Sequence, residues 1–166
     1  KRGEGVAQGV LGIGFDRFGN FSQQNATGTK SGSSYARVTG GEDCGQWQDP
    51  TGANSVPVRG AGKTDSDGNW NKGYCIVASK NVSGEVPDGL DSGKGTKSGD
   101  DNNGKSVDIT IAPVTDDSAT TQHLTVKIAG KTVLETDIDR LPDSVKFGFS
   151  ASTGADHQVQ LIRGLK

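Results

Sequence analysis

The chain has 166 residues, 26 of them glycine, and a net charge of −2. That length suffices for one domain with a real core, and the near-neutral balance excludes a strong field for nucleic acid or anionic membranes. No run approaches the ~18 apolar residues of a membrane span, so membrane insertion is not expected. Only 30% of residues are hydrophobic, but they come in short alternating runs, which fit many short strands better than disorder.

In chain order, Lys1 to Gly5 shows neither a start Met nor a signal-peptide pattern, and is read as a processed or excised segment. Val10 to Asp16 reads as a buried strand whose glycines permit close backbone approach. Ser34 to Thr39 alternates as a second strand. Ser55 to Gly60 is a third, and its Pro57 points to a sheet edge or a bulge. Lys63 to Lys72 reads as a polar loop and Tyr74 to Ala78 as a short apolar strand. Residues 88–105, rich in Gly, Ser, Lys and Asp, are expected to form a mobile surface loop.

The last third is the clearest. Ser106 to Pro113 and His123 to Ala129 both alternate, and Ala129-Gly130-Lys131 makes a tight turn into Thr132 to Ile138. Leu141-Pro142-Asp143 leads into a strand over Val145 to Ser150, and Gln158 to Arg163 closes the chain. Alternating strands joined by short turns make an antiparallel meander. No sustained helical period and no internal repeat is present. The fold class expected is all-β, an antiparallel sandwich in one domain over residues 1–166.

Cys44 and Cys75 are read as one disulfide closing a Gly-rich excursion, over the alternative of two buried thiols. Asn25-Ala26-Thr27 and Asn81-Val82-Ser83 fit the glycosylation pattern, which arises often by chance in such a composition. Asp65-Ser66-Asp67-Gly68-Asn69 resembles part of a calcium loop, but Ile76 stands where a helix-loop-helix site needs its twelfth, acidic residue. Trp47 and Trp70 lie in polar stretches and read as half-buried plugs, with stacking on a sugar or a partner as the alternative. His123 reads as a surface residue. The four glutamates, Glu4, Glu42, Glu85 and Glu135, form none of the close carboxylate pairs a sandwich glycosidase needs, and no serine-hydrolase, zinc or phosphate-loop spacing occurs.

The run Gly148-Phe149-Ser150-Ala151-Ser152-Thr153-Gly154 resembles the "GFSASTG" strand of the L-type (legume-type) lectins. Gly14-Phe15-Asp16-Arg17-Phe18-Gly19-Asn20 resembles that family's Glu-Phe-Asp-Thr-Tyr-x-Asn strand, and is closest in flavour to bacterial cell-surface members. The resemblance implies a concanavalin-like jelly roll. It implies calcium held by the Asp16 carboxylate, the Phe18 carbonyl and the Asn20 side chain, hard oxygen ligands of the kind calcium takes. It implies a sugar stacked on Phe18, bonded to Asn20 and faced by Gly154, Ala155, Asp156 and His157. Read without the resemblance, residues 16–20 also fit an ordinary turn and residues 154–157 a plain polar loop.

Two departures bear on chemistry. Gly14 replaces the Glu that ligates a transition metal, and Gln24 stands where a second Asp is found, with Asp43 or Asp49 as conceivable substitutes. The transition-metal site is therefore expected to be lost. Relatives also carry an earlier N-terminal part that completes the sugar site, so the domain is expected to be incomplete at its N-terminus, with a second chain or segment supplying those strands. The function expected is a non-catalytic, glycan- or glycoprotein-binding module of a secreted or surface adhesin. The alternatives are a protein-binding sandwich that has lost sugar and metal, and a sandwich glycosidase.

Overall fold

The computed structural model describes residues 9–19, 21–22, 52–60, 63–64, 70–72, 76–87, 89–90 and 105–151. Its strands are β1 (Gly12–Ile13), β2 (Ser55–Arg59), β3 (Lys63–Thr64), β4 (Trp70–Lys72), β5 (Ile76–Asn81), β6 (Val107–Ile111), β7 (Thr121–Ile128) and β8 (Lys131–Asp139). They form two three-stranded antiparallel sheets, β1-β2-β5 and β6-β7-β8, and a separate small β3-β4 ladder. No helix occurs among the described residues. The chain is all-β. The expected strands over residues 34–39 and 158–163, the 91–104 stretch of the expected loop, and both Cys44 and Cys75 lie outside the described residues.

The C-terminal meander forms as its pattern predicts. Alternation puts Leu124, Val126 and Ile128 of β7 on one face, each buried, while His123 and Lys127 point to solvent. The Ala129-Gly130 turn has positive φ at both positions, 51° and 76°. This is the twist that suits a two-residue hairpin, and Gly130 adopts it without cost. In β8 the adjacent residues Val133 and Leu134 are both buried. Strict alternation forbids that, and a register shift accounts for it. Val126 pairs Leu134 while Lys127 pairs Thr132, so Val133 is the extra residue of a bulge.

The first sheet is built around β2, whose five residues are all buried. Val56 and Val58 point into the core, and Ser55, Pro57 and Arg59 point the other way. Pro57 is therefore in a central strand, not at an edge. Its missing N–H falls on the β1 side, where its carbonyl accepts from Gly14 N at 2.9 Å. The β1 ladder stops at Ile13 and resumes only as an isolated bridge, Asp16 to Ser55. On the β5 side the register shifts between Val58 and Arg59. β5 runs past the expected end at Ala78 to Asn81, and Tyr74 and Cys75 lie outside the described residues.

Residues of both sheets share one apolar cluster: Val56, Val58, Val82 and Val86 meet Leu124, Val126, Ile128, Val133, Leu134 and Ile138. Each fully buried aliphatic side chain contributes about 1.5–3 kcal/mol. Two polar ties supplement the cluster. The Glu85 carboxylate pairs with Lys131 at 2.8 Å and Lys80 at 3.4 Å, linking the turn after β5 to the start of β8. The Lys105 ammonium donates to the carbonyls of Pro87 (2.7 Å) and Gly89 (2.5 Å), fastening the same turn to the lead-in of β6.

Two expectations are corrected. The stretch from Lys63 to Lys72 is not all loop, because β3 and β4 pair at its ends and place Trp70 in a ladder. The strand expected over Val145 to Ser150 does not form. Among the described residues, 145–151 pair with no strand, and Phe147 is 82% exposed, its ring meeting Phe149 edge-on at 6.1 Å between centroids. Alternation makes a segment able to form a strand, but a ladder also needs an open edge in register. At the other edge, Val107 and Ile109 of β6 pair opposite the buried Ile128 and Val126, yet are themselves 41% and 45% exposed.

Candidate functional site

The loop from Asp16 to Ser22 lies over the outer face of β2. It starts where the interrupted β1 ladder closes, with Asp16 N donating to Ser55 O (2.8 Å) and Ser55 N to Asp16 O (3.0 Å). The chain then turns back on its own carboxylate. Gly19 N donates to Asp16 Oδ1 and Ser22 N to Asp16 Oδ2, each at 2.7 Å. Distances this short mark charge-assisted bonds, and Asp16 is buried.

The loop is also fastened to its neighbour at 52–54. Ser22 Oγ is within reach of Gly19 O (3.0 Å) and Gly52 O (3.1 Å), and Ser55 Oγ donates to Gly52 O at 2.7 Å. Asn54 N donates to Arg17 O (3.1 Å), and the Asn54 side chain accepts from Leu90 N (3.3 Å). Asn54 has a φ of 55°, a left-handed conformation that asparagine tolerates. Gly19 has a φ of 87°, and a Cβ there would meet Gly52 C at 2.7 Å, so the two loops touch backbone to backbone.

Phe21 and Arg59 fill the space beneath. A Cβ on Gly14 would lie 2.3 Å from the Phe21 ring, so that ring occupies the place of a side chain at position 14. Arg59 is fully buried. Its guanidinium sits 4.8 Å from the Phe21 ring centroid, and Nε (3.1 Å) and Nη2 (2.5 Å) donate to Phe21 O. Burial pushes Arg59 down to about 10, partly offset by the negative charge of Asp16, and it stays charged at neutral pH. The loop thus presents Phe18 outward, 53% exposed, with the Arg17 guanidinium 5.4 Å from its ring centroid.

No protein family matches the chain, and neither a curated protein nor a solved structure matches it.

Of the residues singled out from the sequence, the structure places Asp16 inside the loop and Phe18 at its surface. Asn20, Gly154, Ala155, Asp156 and His157 lie outside the described residues, as do Gln24, Asp43, Asp49, Trp47 and residues 65–69. His123 is exposed, as expected, and its Nδ1 sits 2.9 Å from Oδ1 of its cross-strand neighbour Asp137. Sequence reasoning missed Ser22, Phe21 and Arg59. An arginine ending an otherwise apolar strand was the available signal, but its meaning depends on a loop nearly forty residues away in the chain.

Of the donor set expected for calcium, Asp16 and Phe18 lie in this loop and Asn20 lies outside the described residues. Both Asp16 oxygens already accept backbone N–H groups from its own loop. A fully buried guanidinium supplies a positive charge beside them. Among the described residues no three His, Cys, Asp or Glu side chains converge.

Proposed function

We propose that the chain is a non-catalytic carbohydrate-binding module, with an L-type-lectin-like jelly-roll sandwich, of a secreted or cell-surface adhesin. The observation that carries this reading is the braced loop holding a half-exposed aromatic ring. A sugar offers CH groups on one face and hydroxyls around its rim, so a fixed phenyl ring beside polar backbone suits it. Fixing the ring beforehand lowers the ordering cost of binding. Two antiparallel sheets sharing one apolar cluster, with no helix among the described residues, support the sandwich.

The test is a glycan array with the full chain, followed by titration of the best hit. Phe18→Ala is expected to reduce affinity at least tenfold, about 1.4 kcal/mol, with the melting temperature unchanged. Equal binding by the variant would remove Phe18 from the site. A second reading, a sandwich that binds protein and has lost sugar chemistry, is favoured by the Phe21 ring standing over Gly14. Its signature is a protein ligand whose affinity falls in Phe18→Ala while no glycan binds.

A further inference from the structure

The buried Arg59 lies under the very segment in which the sequence raises the expectation of calcium. Its side chain comes from β2 and reaches the loop. Two of its nitrogens reach the Phe21 carbonyl, and its guanidinium carbon lies over the Phe21 ring, 4.8 Å from the centroid. One residue further on, the Ser22 amide closes onto Asp16 Oδ2. An arginine is almost never fully buried without a compensating partner. Its partners include loop backbone, loop ring and the field of the buried Asp16 carboxylate.

We propose that Arg59 is an internal cation that closes the 16–22 loop without calcium, and so acts as the positioning residue for Phe18. The carboxylate gathers the loop by accepting the Gly19 and Ser22 amides. The guanidinium gathers it from below by holding the Phe21 carbonyl and ring. Each charge reduces the other's cost of leaving water. A bound divalent ion would add a second positive charge beside a buried one, and like charges at that range repel. The position opposite the interrupted β1 ladder is filled for the same reason. Gly14 admits the Phe21 ring, and the ring gives the guanidinium an apolar and π-rich surface to lie on.

This inference concerns the loop alone and is read without any glycan, so it stands or fails independently of the proposed function. The experiment uses the full chain. Thermal unfolding and amide exchange are followed in EDTA and in millimolar calcium chloride. The melting temperature is expected to agree within about 1 °C. The Gly19 and Ser22 amides are expected to stay protected in EDTA by on the order of 100-fold. A melting temperature that falls by more than about 5 °C on chelation would overturn the proposal, as would loss of those two protections. Arg59→Lys keeps the charge and is expected to retain most of the Ser22 protection. Arg59→Met is expected to lose it at least tenfold, while Val126 and Leu134 amides in the other sheet are unaffected. If Arg59→Met does not fold, Asp16→Asn/Arg59→Met, which removes both charges, is expected to recover the fold. Equal loop exchange in the Lys and Met variants, or a double variant no better than Arg59→Met, would refute a role for the charge.

Discussion

Replacing Gly19 by alanine separates backbone strain from loop-to-loop contact. The residue has a φ of 87°, and a left-handed conformation costs an L-residue roughly 1–2 kcal/mol. The new methyl would also stand 2.7 Å from Gly52 C and 2.9 Å from Ala53 N. Both are backbone atoms, so no rotamer change relieves the overlap, and overpacking of this kind costs about 1–3 kcal/mol. The sum is about 2–5 kcal/mol. Gly130→Ala is the control: its φ is 76°, and no atom lies within 4 Å of the added Cβ. It should lose only the conformational part. Urea denaturation of both variants at unchanged m reads the two losses. Their difference, about 1–3 kcal/mol, measures the contact between the 16–22 and 52–54 loops. If Gly19→Ala proves no costlier than Gly130→Ala, the loops do not touch as described, and the bracing of Phe18 loses its basis.

Three further outcomes follow. Ala129→Asn should stabilise the chain by about 0.5–1 kcal/mol, because Asn-Gly suits two positive φ angles where alanine at 51° is strained; a lower urea midpoint would contradict the turn. Phe147→Ser should change stability by less than about 0.5 kcal/mol, as at other exposed sites, whereas a core phenylalanine truncation costs about 3–5 kcal/mol; a loss of the second size would mean residues 145–150 pack as a strand after all. Glu85 is held below its ordinary 4.5 first by its bond to Lys131 and then by that to Lys80. Its folded value is lower than its unfolded one, so its contribution is full above 4.5 and is lost as pH falls through the lowered value. Glu85→Gln should therefore narrow its gap to the parent chain between pH 7 and pH 3 in melting temperature, and added salt should shrink the gap at pH 7; parallel curves would refute the tie.

Period-two alternation was enough to locate β6, β7 and β8: in β7 and β8 one face is dry and the other wet, and β6 carries the same alternation although its Val107 and Ile109 stay exposed. Ala129-Gly130 marked its turn for an equally local reason. The same local signal misplaced Phe147 and Phe149. Alternation describes what a strand would bury, but an available edge decides whether it pairs. Pro57 pointed to an edge or a bulge; β2 is central, with a register shift one residue further on, and only the assembled sheet shows that the lost ladder bond falls beside β1, where the ladder is already broken.

At the candidate site the chain sequence marked Asp16 and Phe18, an acidic residue and an aromatic in a Gly-rich turn. It could not tell whether the carboxylate would face a metal, a sugar or its own backbone. The folded loop turns the Gly19 and Ser22 amides onto that carboxylate, and Arg59 reaches the loop from below because β2 pairs with β1 and turns its polar face outward. Alternation and turn chemistry are properties of neighbouring residues and survive in the linear order. The partner of a buried charge is a property of the packed molecule, because it depends on which distant strand lies beneath the loop.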